Sequence, residues 1–171
     1  MADFVETLGP AFFAHRLRRL SEELVEGCGD WFAAVGVTAP PRAASCLLLL
    51  RARGLMSVQE IAEALRLTPV HVASYTREMT RMTLVRVEPD PVDRRRRVVF
   101  LNPSGRQEAE RIAGIVRMMA TAYSGLFTEA GIDAFKSIGA LEDALRAVPL
   151  TARLQAAAEG RPVQAPLRED L

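Results

Sequence analysis

Residues 57–105, SVQEIAEALRLTPVHVASYTREMTRMTLVRVEPDPVDRRRRVVFLNPSG, carry two helical patterns, then two strand patterns, with four arginines where the second strand begins. Ser57 has Glu60 three residues on, the spacing of a capping box, and Ile61, Ala62 and Leu65 then face one way, so a short helix opens at Ser57. Thr68-Pro69 reads as an N-cap followed by proline in the first turn, which starts a second helix at once. Along that helix Val72, Tyr75, Met79 and Met82 or Thr83 fall on one stripe. Two short helices joined by a tight turn make a helix-turn-helix pattern. Residues 84–88 alternate apolar and charged as a half-buried strand does; Pro89, Asp90 and Pro91 supply a turn, and Val98, Val99, Phe100 and Leu101 return. A hairpin directly after a helix-turn-helix is a wing.

Arg94, Arg95, Arg96 and Arg97 are adjacent like charges, which stay together in a disordered tail or where a polyanion meets them. Structured patterns continue for about fifty residues beyond them, so this is no tail. The whole chain carries a net charge of only +1, so bulk charge names no partner. Between Arg66 and Arg97, however, eight arginines face four acids, an excess confined to one segment. Charge is concentrated as a site.

Outward from this centre the patterns are helical. Positions 13, 17, 20, 24, 28, 31 and 35 trace the apolar face of a long N-terminal helix that Gly36 ends, and APPRAASCLLLLRARG is a second helix entered through Pro40 and Pro41 and closed by Gly54. After the wing, Ser104 or Asn102 caps a long helix with Ile112, Ile115, Val116, Met119, Tyr123 and Leu126 on its apolar side. Another helix runs from Ile132 to about Val148, and Pro149 opens a short Ala-rich turn. The outer helices are more apolar than isolated helices tolerate, which points to burial against each other and against a second copy. At 171 residues, 49% apolar and 25% charged, the chain is globular. It has no run near the roughly 18 apolar residues of a membrane span, and MADFVETLGPAFFAHRLRR lacks a basic-then-apolar signal pattern. Cys28 and Cys46 make no disulfide framework, and a reducing cytoplasm is the expected compartment.

From about Arg42 to Arg111 the chain resembles the MarR family of winged-helix transcription regulators. The most specific stretch is DRRRRVVFLNPSGR, where Asp93, Arg95, Val99, Leu101, Pro103 and Gly105 stand at the family's wing positions. SVQEIAEALRL matches the helix that braces the reader, and TPVHVASYTREMTRMTLVRV matches the recognition helix and first wing strand. Three positions depart from the pattern: Thr83 where a glycine is frequent, Ser74 where an arginine is frequent, and Asn102 in place of threonine. The resemblance implies a mainly α fold, a winged helix-turn-helix with long N- and C-terminal dimerisation helices. Residues 1–36 would be the N-terminal dimerisation helix, 40–103 the DNA-binding lobe, 104–159 the C-terminal dimerisation helices and 160–171 a flexible tail.

Expected function is that of a homodimeric regulator, a ligand-responsive repressor that binds a palindromic duplex-DNA operator through recognition helix 68–83 and wing 84–102. Clustered arginine is rewarded on DNA by counterion release, and a wing beside a recognition helix reaches the adjacent minor groove. Arg94, Arg96 and Arg97 are expected on phosphate or in the groove. Asp93 is expected to structure the wing by holding Arg95 in a fixed fork geometry. On the reading helix Val70 is placed for a thymine methyl and His71 and Ser74 for base edges, while Arg77 and Arg81 sit farther along for phosphates. Arg42, Gln59 and Thr68, at helix starts, join the phosphate contacts.

The resemblance also implies an effector pocket, for which Phe12, His15, Arg16, Arg19 and Trp31 are the candidates, with an anionic aromatic or lipophilic small molecule as ligand. No cofactor is expected, and His15 and His71 are too far apart in sequence to begin a metal cluster. No nucleophile–base pair or phosphate loop suggests an enzyme. Two alternatives remain: a winged-helix interaction module whose basic patch docks an acidic protein, and a redox-sensing regulator acting through Cys28 or Cys46.

Overall fold

The computed structural model describes residues 3–162, so most of the tail expected at 160–171 lies outside the described residues. The chain divides into two units, Met1–Val116 and Arg117–Leu171. The first holds α1 (Phe4–Thr7), α2 (Phe13–Ala34), α3 (Ala44–Arg53), β1 (Met56–Ser57), α4 (Val58–Leu65), α5 (Pro69–Arg81), β2 (Val85–Pro89), β3 (Arg97–Leu101) and the start of α6 (Pro103–Glu129). The second holds the rest of α6, α7 (Ala134–Ala147) and α8 (Leu150–Ala158). The fold is mainly helical with one small antiparallel sheet, as expected.

The helix-turn-helix is built by local chemistry. Ser57 Oγ accepts from the Glu60 amide at 3.2 Å, and the Glu60 carboxylate accepts from the Ser57 amide at 2.7 Å, so the capping box forms. At the far end of α4, Arg66 is left-handed (φ 53°) and the Leu67 amide donates back to Ala62 O at 2.9 Å. This is a Schellman closure made without glycine. Thr68 Oγ then accepts from the His71 amide at 3.3 Å, and Pro69 begins α5. The same closure ends α5, with Leu84 N donating to Met79 O at 2.9 Å across a left-handed Thr83 (φ 59°).

Beneath these helices the core is assembled from Leu47 and Leu50 of α3, Ile61 of α4, Val72 and Met79 of α5, Val85, Val98 and Val99 of the sheet, and Ile112 of α6. The sheet order is β1-β3-β2, with Val85 opposite Leu101 and Val87 opposite Val99. The two-residue β1, which pairs Met56 with Val99, was not anticipated; it is too short to show alternation.

Three further expectations need correction. On α5 the second inward residue is Thr76, 6% exposed, whereas Tyr75 is only half-buried, because the helix presents 72, 76 and 79 inward at steps of four and three. On α2 the residue that reaches the core is Phe32, while Phe13, Leu17, Leu20 and Val35 of the expected stripe are exposed. The Ala-rich turn after Pro149 is a nine-residue helix, α8, with proline at its N-cap. Asn102 and Ser104, the two capping candidates for α6, both donate from their side chains to Thr83 O, at 3.0 and 2.7 Å.

Thr83 therefore combines an anchored carbonyl with a backbone conformation that a β-branched residue adopts at a cost. Thr83→Gly keeps the carbonyl and removes the strain. The variant should gain about 1 kcal/mol net of the added unfolded-chain entropy, seen as a rise of roughly 2–4 °C in thermal midpoint. A lower midpoint would mean that the threonine methyl contributes more than the strain costs.

Candidate nucleic-acid interface

The outward face of α5 is set by what lies inward. With Val72, Thr76 and Met79 buried, the helix leaves Val70, His71, Ser74, Arg77 and Arg81 exposed on the opposite side. Val70, an apolar side chain at the helix start, is 77% exposed. Neither Arg77 nor Arg81 forms an ion pair among the described residues. Arg42 is exposed in the 3-10 turn Pro41–Ala43, also without an ion pair among them. Gln59 is partly engaged, donating from its amide to Glu63 Oε1 at 2.9 Å, and Thr68 Oγ serves as the α5 cap.

The wing loop is more organised than its charge suggests. Asp90, only 8% exposed, accepts from the amides of Val92 at 2.8 Å and Asp93 at 3.3 Å, which turns the chain at the hairpin end. Its own amide donates to Arg96 O at 2.9 Å, and Arg96 N donates to Asp93 O at 2.9 Å. Asp93 does not make the expected fork with the Arg95 side chain. Its Oδ1 accepts from the backbone N–H of Arg95 at 3.1 Å, not from that residue's guanidinium. The reason is register: residues 94 and 95 lie in a turn ahead of β3, so the short Asp93 side chain meets the backbone two residues on, an Asx turn.

The four arginines divide accordingly. Arg97 donates from Nη2 to Val87 O across the hairpin at 3.0 Å. Arg96 reaches out of the wing, with Nη2 2.8 Å from Glu60 Oε1. Arg94 and Arg95 are exposed and their side chains carry no ion pair or hydrogen bond among the described residues. At the strand end of the hairpin Arg86 lies over the Phe100 ring, 4.2 Å from its centroid, and 3.1 Å from Glu88 Oε1.

Three acids have partners that sequence reading did not assign: Asp90, Glu60 as a partner of Arg96, and Glu108. The last is 3% exposed, and its Oε2 accepts from the amides of Thr38 at 2.9 Å and Ala39 at 3.3 Å, while Arg111 pairs with Oε1. Asp90 had a signal, since aspartate between prolines favours an Asx turn. Glu108 had none, because its partners are backbone amides about seventy residues away.

The effector candidates are not brought to one place. A shallow groove on α2 is lined by Phe13, Arg16, Leu17, Arg19, Leu20 and Glu23, so of the five expected residues it holds only Arg16 and Arg19. Both arginines already face acids of the N-terminal segment: Arg19 lies 2.6 Å from Asp3 and Arg16 3.5 Å from Glu6. The Arg19 guanidinium holds the Asp3 carboxyl below its usual range. Phe12 and His15 are exposed on the same segment, and Trp31 is half-buried with its ring tilted against Phe32.

Burial pushes both thiols up, Cys46 to about 11, so neither has the low-pKa, accessible character of a reactive cysteine. No group of three or more potential ligands for a metal occurs among the described residues, and no helix among them is long and apolar enough to cross a membrane.

Residues 40–96 match the model of the MarR family. No curated protein matches the chain in sequence. Among solved structures the fold is similar to that of the transcriptional repressor CouR bound to a 23-mer DNA duplex, with a TM-score of 0.58 and 23% identity over 76% of this chain and 91% of that one. It is similar to S. aureus MepR in a DNA complex, with a TM-score of 0.55 and 20% identity over 85% and 97%. It also resembles the haem sensor protein PefR from Streptococcus agalactiae in complex with haem, at 0.53 and 15% over 84% and 97%.

Proposed function

From the premise that the chain belongs, through its winged helix at residues 40–96, to the MarR family of DNA-binding transcription regulators, we propose that it is a homodimeric repressor of a palindromic operator. The observation that carries this reading is one surface. The exposed α5 face, with Val70, His71 and Ser74 in its first turns and Arg77 and Arg81 behind, belongs to the same lobe as a wing tip whose Arg94 and Arg95 have no ion pair among the described residues. A helix presenting its first turns enters a major groove, and cations beside it neutralise phosphate. Arg42 and Thr68 extend the phosphate-binding side. CouR and MepR, which share the fold, are each held with DNA, which supports a DNA-binding role.

Dimerisation rests on apolar surface left without cover in one chain. On α2 this is Phe13, Leu17 and Leu20; in the second unit it is Phe135, Ile138, Leu141 and Leu145 of α7 with Leu150 and Leu154 of α8. Faces of this composition associate in water. A second copy also supplies the second recognition helix that a palindrome requires. Response to a small molecule belongs to the same reading, and haem-bound PefR is a protein of this fold that has one. Selection of bound sequences from a random duplex pool, with sedimentation equilibrium on the free protein, tests the proposal. A two-fold symmetric consensus and twice the chain mass are expected. A monomer with no sequence preference would refute it.

A further inference from the structure

Two side chains of the arginine run are already engaged within the protein, Arg97 on Val87 O and Arg96 on another element. Arg96 points back from the wing loop to the N-terminus of α4, with Nη2 2.8 Å from Glu60 Oε1 and 3.5 Å from Ser57 Oγ. Glu60 divides its two oxygens: Oε2 closes the capping box on the Ser57 amide at 2.7 Å, and Oε1 takes the guanidinium. The backbone of Arg96 is also the tie of the wing loop, since its N–H donates to Asp93 O and its carbonyl accepts from Asp90 N, each at 2.9 Å. One residue thus joins the folded loop 90–96 to the helix that braces the reader.

We propose that Arg96 and Glu60 form a latch that fixes the angle of the wing against the helix-turn-helix, so that Arg96 is a positioning residue and Arg94 and Arg95 are the arginines that meet DNA. This rests on the regulator reading for its consequence, though not for its geometry. An exposed ion pair adds little to global stability, which argues that its value lies in placement. Without it the wing tip is held only by its own turn bonds and by the two strands behind it, and must be ordered when DNA binds. Glu60 is ionised throughout the range in which DNA is bound, its carboxyl held at about 2 by the Ser57 amide and then by Arg96.

Glu60→Gln separates the possibilities. Glutamine suits the capping-box position, so α4 keeps its start. Its side chain has one acceptor oxygen and a donor NH2 where glutamate has two oxygens, and it carries no charge, so the Ser57 amide and Arg96 no longer each have an oxygen of their own and the ion pair is lost. If the latch positions the wing, Glu60→Gln weakens binding to the selected duplex roughly three- to tenfold, the cost of ordering a freed loop on association. The salt slope should not change. Arg96→Ala should match it in affinity and slope, the double variant should be no worse than either single, and Arg96→Lys should retain most of the affinity. In the free full-length protein, amide exchange at residues 90–97 should speed up by a similar factor in Glu60→Gln and Arg96→Ala.

If instead Glu60 withholds Arg96 from DNA, Glu60→Gln binds more tightly with a steeper slope; if Arg96 itself meets phosphate, Arg96→Ala lowers the slope by about 0.9. Either result overturns the proposal, as does unchanged exchange in the wing. Should the wild-type protein bind no duplex at all, the regulator reading falls, and the exchange measurement alone decides whether the latch exists.

Discussion

Replacing Gly105 by alanine is expected to lower the thermal midpoint by about 10 °C, although alanine is the better helix former. Gly105 lies in the first turn of α6 and is buried. A Cβ built there would stand 1.9 Å from Leu84 O and 2.8 Å from Leu84 C. Both sides of that contact are backbone, so no side chain can rotate away. Nor is Leu84 free to retreat, since its carbonyl accepts from Asn102 N at 2.9 Å and its own amide closes α5 on Met79 O. Propensity alone favours the variant by about 1 kcal/mol; the overlap costs about 4 kcal/mol or more, because the first turn of α6 must part from the start of the wing. Sterics wins. At about 2–4 °C per kcal/mol for a chain of this size, the net loss gives the predicted shift. A midpoint that rises by a few degrees, as propensity alone would give, would place α6 farther from Leu84 than described.

The second large effect is at Glu108. Its carboxylate is 3% exposed and holds the segment between α2 and α3 through the amides of Thr38 and Ala39. Glu108→Ala strands those two donors and removes the acid opposite Arg111, which together cost about 3 kcal/mol. Urea denaturation should show that loss with little change in the dependence on denaturant. Amide exchange at Thr38 and Ala39 should accelerate more than exchange in the core of α5. Glu108→Gln, which keeps one acceptor for the two amides, should lose less. Equal stability of wild type and Glu108→Ala would mean that water replaces the carboxylate at those amides without cost.

What the sequence disclosed and what it hid follow from the range of the interactions. Ser57 with Glu60 and Thr68 with Pro69 act over three residues or fewer, so the starts of α4 and α5 were readable as letters and formed as read. The wing was readable because its strands alternate and a Pro-Asp-Pro turn parts them. Gly105 was visible as a glycine at a family position, but the reason for it is a carbonyl twenty-one residues earlier, which no local pattern contains. Glu108 and the Glu60–Arg96 pair were hidden for the same reason: acids that look like solvated face residues acquire partners only when distant segments meet. Thr76 displaced Tyr75 from the expected stripe because a hydroxyl-bearing residue scores as polar, although here the residue is buried, its Oγ1 included. The apolar faces of α2 and α7 were readable in the sequence, and Phe13, Leu17, Leu20, Phe135, Ile138, Leu141 and Leu145 on them are exposed.

The measurement that bears most directly on the central claim is a salt titration of duplex binding by fluorescence anisotropy, comparing the wild-type protein with Arg94→Ala and Arg95→Ala on the selected duplex. Arg94 and Arg95 carry no ion pair among the described residues, so each should account for about one released counterion, and each variant should lower the slope of log affinity against log salt by about 0.9. Affinity at low salt should fall about tenfold or more in the double variant, with folding unchanged. Binding to the duplex no tighter than to an unrelated polyanion, and indifferent to both substitutions, would contradict the account.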